Sequence, residues 1–145
     1  MDPKNPKDQS TLRKIEPRLE HIALNISDPM AAAKWYCERL GMKVMRKGPP
    51  PVNAHFISDS AGNMILELYS NTTAPVIDYA SLNPLCLHIA FIANDLKVIR
   101  DTLVIDGAKV VDDIETIPNG DQILMMRDPW GLSLQFVKRA EPMLK

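Results

Sequence analysis

The segment Leu19-Glu20-His21-Ile22-Ala23-Leu24 returns in the second half of the chain as Leu85-Cys86-Leu87-His88-Ile89-Ala90-Phe91. His21 is followed 46 residues later by Glu67, and His88 is followed 47 residues later by Gln135. Each half thus carries one imidazole early and one oxygen donor late, at nearly the same separation. A chain that repeats its apolar pattern folds as two like units. A chain that also repeats its coordinating side chains points to a site that those units share.

The composition is compatible with that reading. At 145 residues the chain suits one domain with a sizeable buried core. Apolar residues make up 46% and charged residues 24%, ordinary values for a globular protein. The net charge is −1 with Lys and Arg scattered, which argues against a nucleic-acid partner. No apolar run approaches the roughly 20 residues needed to cross a bilayer, and no apolar leader opens the chain. Cys37 and Cys86 are expected to be free thiols. Together these features predict a soluble, cytoplasmic protein.

Residues 1–17 are polar and lack apolar periodicity, so they are expected to form a flexible extension. Alternation over residues 19–26 predicts a strand with His21 on the face opposite Ile22 and Leu24. Ser27-Asp28-Pro29 starts a helix over residues 30–40, and Gly41 ends it. Strands are predicted over residues 42–46, 52–59 and 64–69, separated by Gly48-Pro49-Pro50-Pro51 and by Ser60-Ala61-Gly62-Asn63. Residues 71–84 read as a linker. The second half repeats the plan: a strand at 85–93, a cap at Asn94-Asp95, and a helix at 96–105 with Leu96, Ile99 and Leu103 on one stripe. Strands at 108–112, 122–127 and 132–137 follow, the last two joined by Asp128-Pro129-Trp130-Gly131. The chain is therefore α+β, with one β-α-β-β-β unit at residues 18–70, a second at 85–138, and a polar tail at 139–145.

Alternate residues of a strand share a face. If the first and last strands of each unit are neighbours, His21 and Glu67 converge, as do His88 and Gln135. Two imidazoles, a carboxylate and an amide oxygen suit a divalent metal such as Zn, Ni, Co, Mn or Fe. The set contains no thiolate, unlike most closed structural zinc sites. Taken singly, each of these residues reads more simply as a packed or solvated strand residue. Their joint recurrence is what argues for metal.

Residues 18–137 resemble the vicinal oxygen chelate superfamily, which includes glyoxalase I, bleomycin resistance proteins, extradiol dioxygenases and methylmalonyl-CoA epimerase. The resemblance is carried by Leu19-Glu20-His21-Ile22-Ala23-Leu24, Trp35-Tyr36, Leu40-Gly41-Met42-Lys43, Ile65-Leu66-Glu67-Leu68, Leu87-His88-Ile89-Ala90-Phe91 and Asp128-Pro129-Trp130-Gly131-Leu132. It implies two βαβββ repeats forming a curved mixed-sheet cleft. It also implies metal ligands at His21, Glu67, His88 and Gln135. That superfamily's glyoxalases ordinarily carry Glu where this chain has Gln135, so Glu67 is left as the catalytic carboxylate.

The activity implied is that of a metal-dependent lyase or isomerase of glyoxalase I type. It would move a proton between adjacent carbons of a small substrate with neighbouring oxygens, such as a 2-oxoaldehyde thiol adduct, through an enediolate. Arg46 resembles the position where glyoxalases bind a substrate carboxylate; the plainer reading is a solvated strand end. His55 is expected at the surface or lining a pocket. Trp35 and Tyr36 are expected to pack, and Met125 and Met126 to fill core or line the pocket. Two alternatives remain: an Fe(II) ring-cleaving dioxygenase using His21, His88 and Glu67, or a non-enzymatic ligand-sequestering protein of bleomycin-resistance type. The resemblance also implies a homodimer in which His21 and Glu67 of one chain face His88 and Gln135 of the other.

Overall fold

A computed structural model describes residues 13–63 and 65–143. The elements run β1 (His21–Asn25), α1 (Pro29–Leu40), β2 (Lys43–Lys47), β3 (His55–Ser58), β4 (Ile65–Tyr69), β5 (Ile89–Ile92), α2 (Leu96–Ile105), β6 (Lys109–Thr116), β7 (Gln122–Arg127) and β8 (Ser133–Lys138). They form two four-stranded sheets, ordered β1-β4-β3-β2 and β5-β8-β7-β6. The first and last strands of each unit pair in parallel, and the other neighbours are antiparallel. The expected pair of βαβββ units is the observed architecture.

Local chemistry accounts for the elements. Asp28 caps α1 through the Ala31 N–H, Pro29 occupies its first turn, and Gly41 closes it in the left-handed conformation at φ 66°. Asp95 caps α2 through the Val98 N–H. Gly131, also left-handed, lies so near Ala80 that a Cβ would stand 2.6 Å from the Ala80 nitrogen. Only glycine fits there.

The principal departure in the strands concerns His88. The strand expected over 85–93 is shorter, because residues 84–86 turn: the Cys86 N–H donates to the Asn83 carbonyl and the Leu85 N–H to Asn83 Oδ1. His88 therefore sits one residue before β5 rather than inside it. The expected linker over 71–84 carries a 3-10 turn at Tyr79–Ser81, with Tyr79 buried. Residues 13–17 are exposed and irregular, whereas 1–12, Met64 and 144–145 lie outside the described residues. Among the described residues no helix is long and apolar enough to cross a membrane.

Each helix covers one face of its sheet. Leu66, Leu68 and Ile57 turn toward α1, which contributes Ala32, Ala33, Trp35 and Tyr36; Leu124, Met126, Leu134 and Phe136 pack in the second unit beside Leu96 and Leu103. The α1 helix also joins the units. Trp35 Nε1 donates to the Asp106 carbonyl at 3.0 Å, Arg39 pairs with the Asp106 carboxylate, and Trp35 meets Trp130 edge to face. The buried Tyr36 hydroxyl donates to Asp128 Oδ2 at 2.7 Å, while Asp128 Oδ1 accepts the N–H groups of Trp130 and Leu132.

Burial pushes the Asp128 carboxyl up despite these donors, and it pushes the Tyr36 hydroxyl well above its ordinary value. A carboxyl raised in the folded state binds its proton more tightly there than in the unfolded chain. Its contribution to stability is therefore full below the unfolded carboxyl range and declines as pH rises through the folded value. Asp128→Asn should flatten that decline in denaturant unfolding measured across acidic pH. Tyr36→Phe, which strands Asp128 Oδ2, should cost about 1–3 kcal/mol at neutral pH.

Candidate functional site

The face of each sheet away from its helix carries the repeated donors. In the first unit Ala23 pairs with Glu67, so His21, two residues earlier on β1, stands diagonally from the carboxylate. Ala90 pairs with Gln135 in the second unit, which gives His88 the same two-residue offset. The nearly equal sequence separations, 46 and 47 residues, thus correspond to the same offset from each parallel ladder, which advances both strands together.

His21 and Glu67 meet. His21 Nε2 lies 3.3 Å from Glu67 Oε2, and both side chains are mostly covered, 33% and 20% exposed. The imidazole stands edge to face against Phe56, with ring centres 5.4 Å apart. Its Nδ1 faces Glu20 Oε1 at 3.0 Å. With Nδ1–H donating to Glu20, the Nε2 lone pair and the Glu67 oxygen are two acceptors pointed at one another. Two such acceptors side by side can serve as ligands of one metal ion. Two donors bonded to one ion at roughly 2.0–2.2 Å stand roughly 3.0–3.4 Å apart in tetrahedral or octahedral geometry, so the observed gap fits.

His88 is half-buried and oriented differently. Its Nδ1–H donates to the Pro84 carbonyl at 2.8 Å, which leaves Nε2 free as an acceptor. A backbone carbonyl here does what the Glu20 carboxylate does for His21, fixing tautomer and ring direction. The turn that supplies this carbonyl is itself held by Arg127, which donates to the carbonyls of Tyr79, Leu82 and Gly131 and to Ser133 Oγ. Glu20, Pro84 and Arg127 were not singled out from the sequence. Only the adjacency of Glu20 to His21 offered a hint; the other two act through backbone carbonyls.

The remaining expected residues divide between the faces. Arg46 pairs with Phe56, which pairs with Glu67, so Arg46 lies on the donor-bearing row. Met125 pairs with Gln135 and shares its face, whereas Met126, fully buried, pairs with Leu134 and fills the core. His55 is neither exposed nor on the donor face. It is 7% exposed, pairs with Leu68 on the helix side, and its Nδ1 donates to the Asn53 carbonyl at 2.7 Å. Its neighbour Phe56 takes the donor face because alternate strand residues reverse direction.

Within one chain the two donor pairs do not combine. Among the described residues no three His, Cys, Asp or Glu side chains come together as a metal ion would use them. A pocket of about 230 Å³ between the units, lined by Met42, Phe91, Ile99 and Phe136 among others, lies on the helix side and touches none of the donors.

The profile of the Glyoxalase/Bleomycin resistance protein/Dioxygenase superfamily matches residues 18–136. The chain belongs to that superfamily. No curated protein matches it. Among solved structures, the chain resembles a glyoxalase family protein from Bacillus cereus at TM-score 0.74 and 15% identity, covering 87% of this chain and 96% of that one. It also resembles TioX from Micromonospora sp. ML1, at TM-score 0.61 and 18% identity over 84% and 98% of the two chains. Glyoxalase I from Zea mays gives TM-score 0.68 and 23% identity over 86% of this chain, which spans only 45% of the maize protein. At these identities the likeness is one of fold.

Arg127→Lys keeps the charge but cannot reach four acceptors from one planar group. It should cost about 1–3 kcal/mol in denaturant unfolding. It should also split the His88 ring signals in NMR spectra while leaving those of His21 unchanged.

Proposed function

We propose that the protein is a metal-dependent lyase or isomerase of glyoxalase type, with each site built between two copies of the chain. The observation that carries this reading is the shared two-residue offset: His21 precedes the ladder partner of Glu67 by two residues, and His88 precedes that of Gln135 by two. Sheets need no such symmetry in polar side chains. A centre drawing one His and one oxygen donor from each unit does.

The second copy is supported by what one chain leaves unpaired. The first strands of both units, β1 and β5, are sheet edges, and among the described residues they pair with nothing on their outer side. Apolar side chains are exposed on or just before them: Ile22 and Ile92, Leu19 and Leu85. Bare edges with exposed apolar residues on or near them are what a partner strand covers. A partner's second unit set beside β1 would bring its imidazole and amide to His21 and Glu67.

In that assembly His21 Nε2, Glu67, the partner's His88 and the partner's Gln135 would hold a divalent ion. When bound, the ion would grip two adjacent substrate oxygens and stabilise negative charge on them. Glu67 is the base in this reading: its carboxylate takes a proton from one carbon and returns it to the next. Gln135 has no basic oxygen and acts only in holding. Phe56 shields the His21–Glu67 pair from water, and Arg46 would bind an anionic group of the substrate.

Glu67→Gln should lower isomerisation of the methylglyoxal hemithioacetal by about 10²–10⁴-fold with Zn, Ni or Co supplied. His21→Ala should lose tight metal uptake, read by equilibrium dialysis. Wild-type protein that takes up none of these metals would contradict the reading. An oxygen electrode with catechol and ferrous iron separates it from dioxygenase chemistry.

A further inference from the structure

The donor-bearing rows continue to the outer edge of each sheet, and there the repeat reverses its charge. Across β1, β4, β3 and β2 the paired residues are Ala23, Glu67, Phe56 and Arg46. Across β5, β8, β7 and β6 they are Ala90, Gln135, Met125 and Asp112. The order is the same in both: a small residue, an oxygen donor, a bulky apolar residue, a charge. Directly paired residues share a face, so both charges lie on the donor face of their sheets.

Their equivalence extends to the backbone. Lys43-Val44-Met45-Arg46 and Lys109-Val110-Val111-Asp112 break register at the same step, between Val44 and Arg46 and between Val110 and Asp112. Such a bulge skips one residue and re-aims the next. Here it turns a charged side chain onto the donor face that regular alternation would have sent to the helix side. Both residues are exposed, and among the described residues neither has a hydrogen-bonding or ionic partner. The next residue along, Asp113, is held by Arg100 at 2.9 Å. Asp112 is thus an unengaged carboxylate at the place where the other unit carries an unengaged guanidinium.

We propose that Asp112 is a specificity-determining residue that receives a protonated amine. The ligand of the shared site is then a zwitterion, with its anionic group toward Arg46, its ammonium toward Asp112 and its adjacent oxygens between them. This rests on the shared site described above. Arg46 stands two strands from Glu67 and Asp112 two strands from Gln135, roughly 10 Å at the usual strand spacing. A ligand anionic at both ends would bring like charge against Asp112, so the pair of rims also fixes the direction of entry.

The test uses the full chain loaded with zinc and a probe whose two adjacent oxygens sit mid-molecule: N-succinyl-N-hydroxycadaverine, a hydroxamate with a carboxylate tail and an amine tail. Calorimetric affinity is compared with its amine-acetylated form and with N-acetyl-N-hydroxycadaverine, which lacks the carboxylate. Acetylating the amine should weaken binding about fivefold, the scale of a partly exposed ion pair. Asp112→Asn should abolish that difference and keep the preference for the carboxylate, while Arg46→Gln should do the reverse. If all three probes bind alike, yet lose affinity in Glu67→Gln, the metal site stands and the zwitterion proposal falls. If no probe binds in any form, the shared site falls and the proposal with it.

Discussion

The parallel pairing of first and last strands within each unit is the constraint on which the structure depends. Parallel neighbours cannot be joined by a tight turn, so each unit needs a crossover, and α1 and α2 supply it. The crossover helix covers one sheet face and leaves the other free for side chains that are not core. The same pairing sets the two-residue diagonal between His21 and Glu67 and between His88 and Gln135. Helix placement, core face and donor geometry all follow from one ladder type used twice.

How the two units meet is a separate matter, decided by α1. Tyr36 and Trp35 reach across to Asp128 and Asp106, and the buried hydroxyl–carboxylate contact holds that junction. The junction spends the helix side of the first unit on the second. It leaves β1 and β5 as open edges and keeps the two donor pairs from combining in one chain. Half a site on each sheet and an unpaired edge beside each half are the features on which the proposed second copy rests. The belonging of residues 18–136 to the superfamily gives the fold; the proposed assembly and chemistry rest on these unpaired parts.

Much of this was legible in the sequence because the signals are local. Asp28 with Pro29 and Asp95 are side-chain caps that act within a single turn, and Gly41 supplies the left-handed closure that ends α1. The helix over 96–105 and the strand over 122–127 are found as expected. The placement of His88 before its strand was not legible, since the Asn83–Pro84 turn resembles strand continuation in its apolar Leu85 and Leu87. His55 was misread because alternation gives the period of a strand without saying which phase faces the helix. The bulges that bring Arg46 and Asp112 to the donor face are invisible to a period-two pattern. Arg127 acts on backbone carbonyls, which leave no trace in residue identity.

In the proposed assembly each site takes His21 and Glu67 from one chain and His88 and Gln135 from the other. Mixing two defective proteins tests it most directly. His21→Ala and His88→Ala homodimers would each lack one imidazole in both sites. After subunit exchange, every mixed dimer would have one site with both imidazoles intact and one with neither. Zinc or cobalt uptake by the equimolar mixture should recover to about a quarter of the wild-type value per site, from none in either protein alone. No recovery in a mixture whose subunits have demonstrably exchanged, or full uptake by an isolated monomer, would rule out a site shared between two chains.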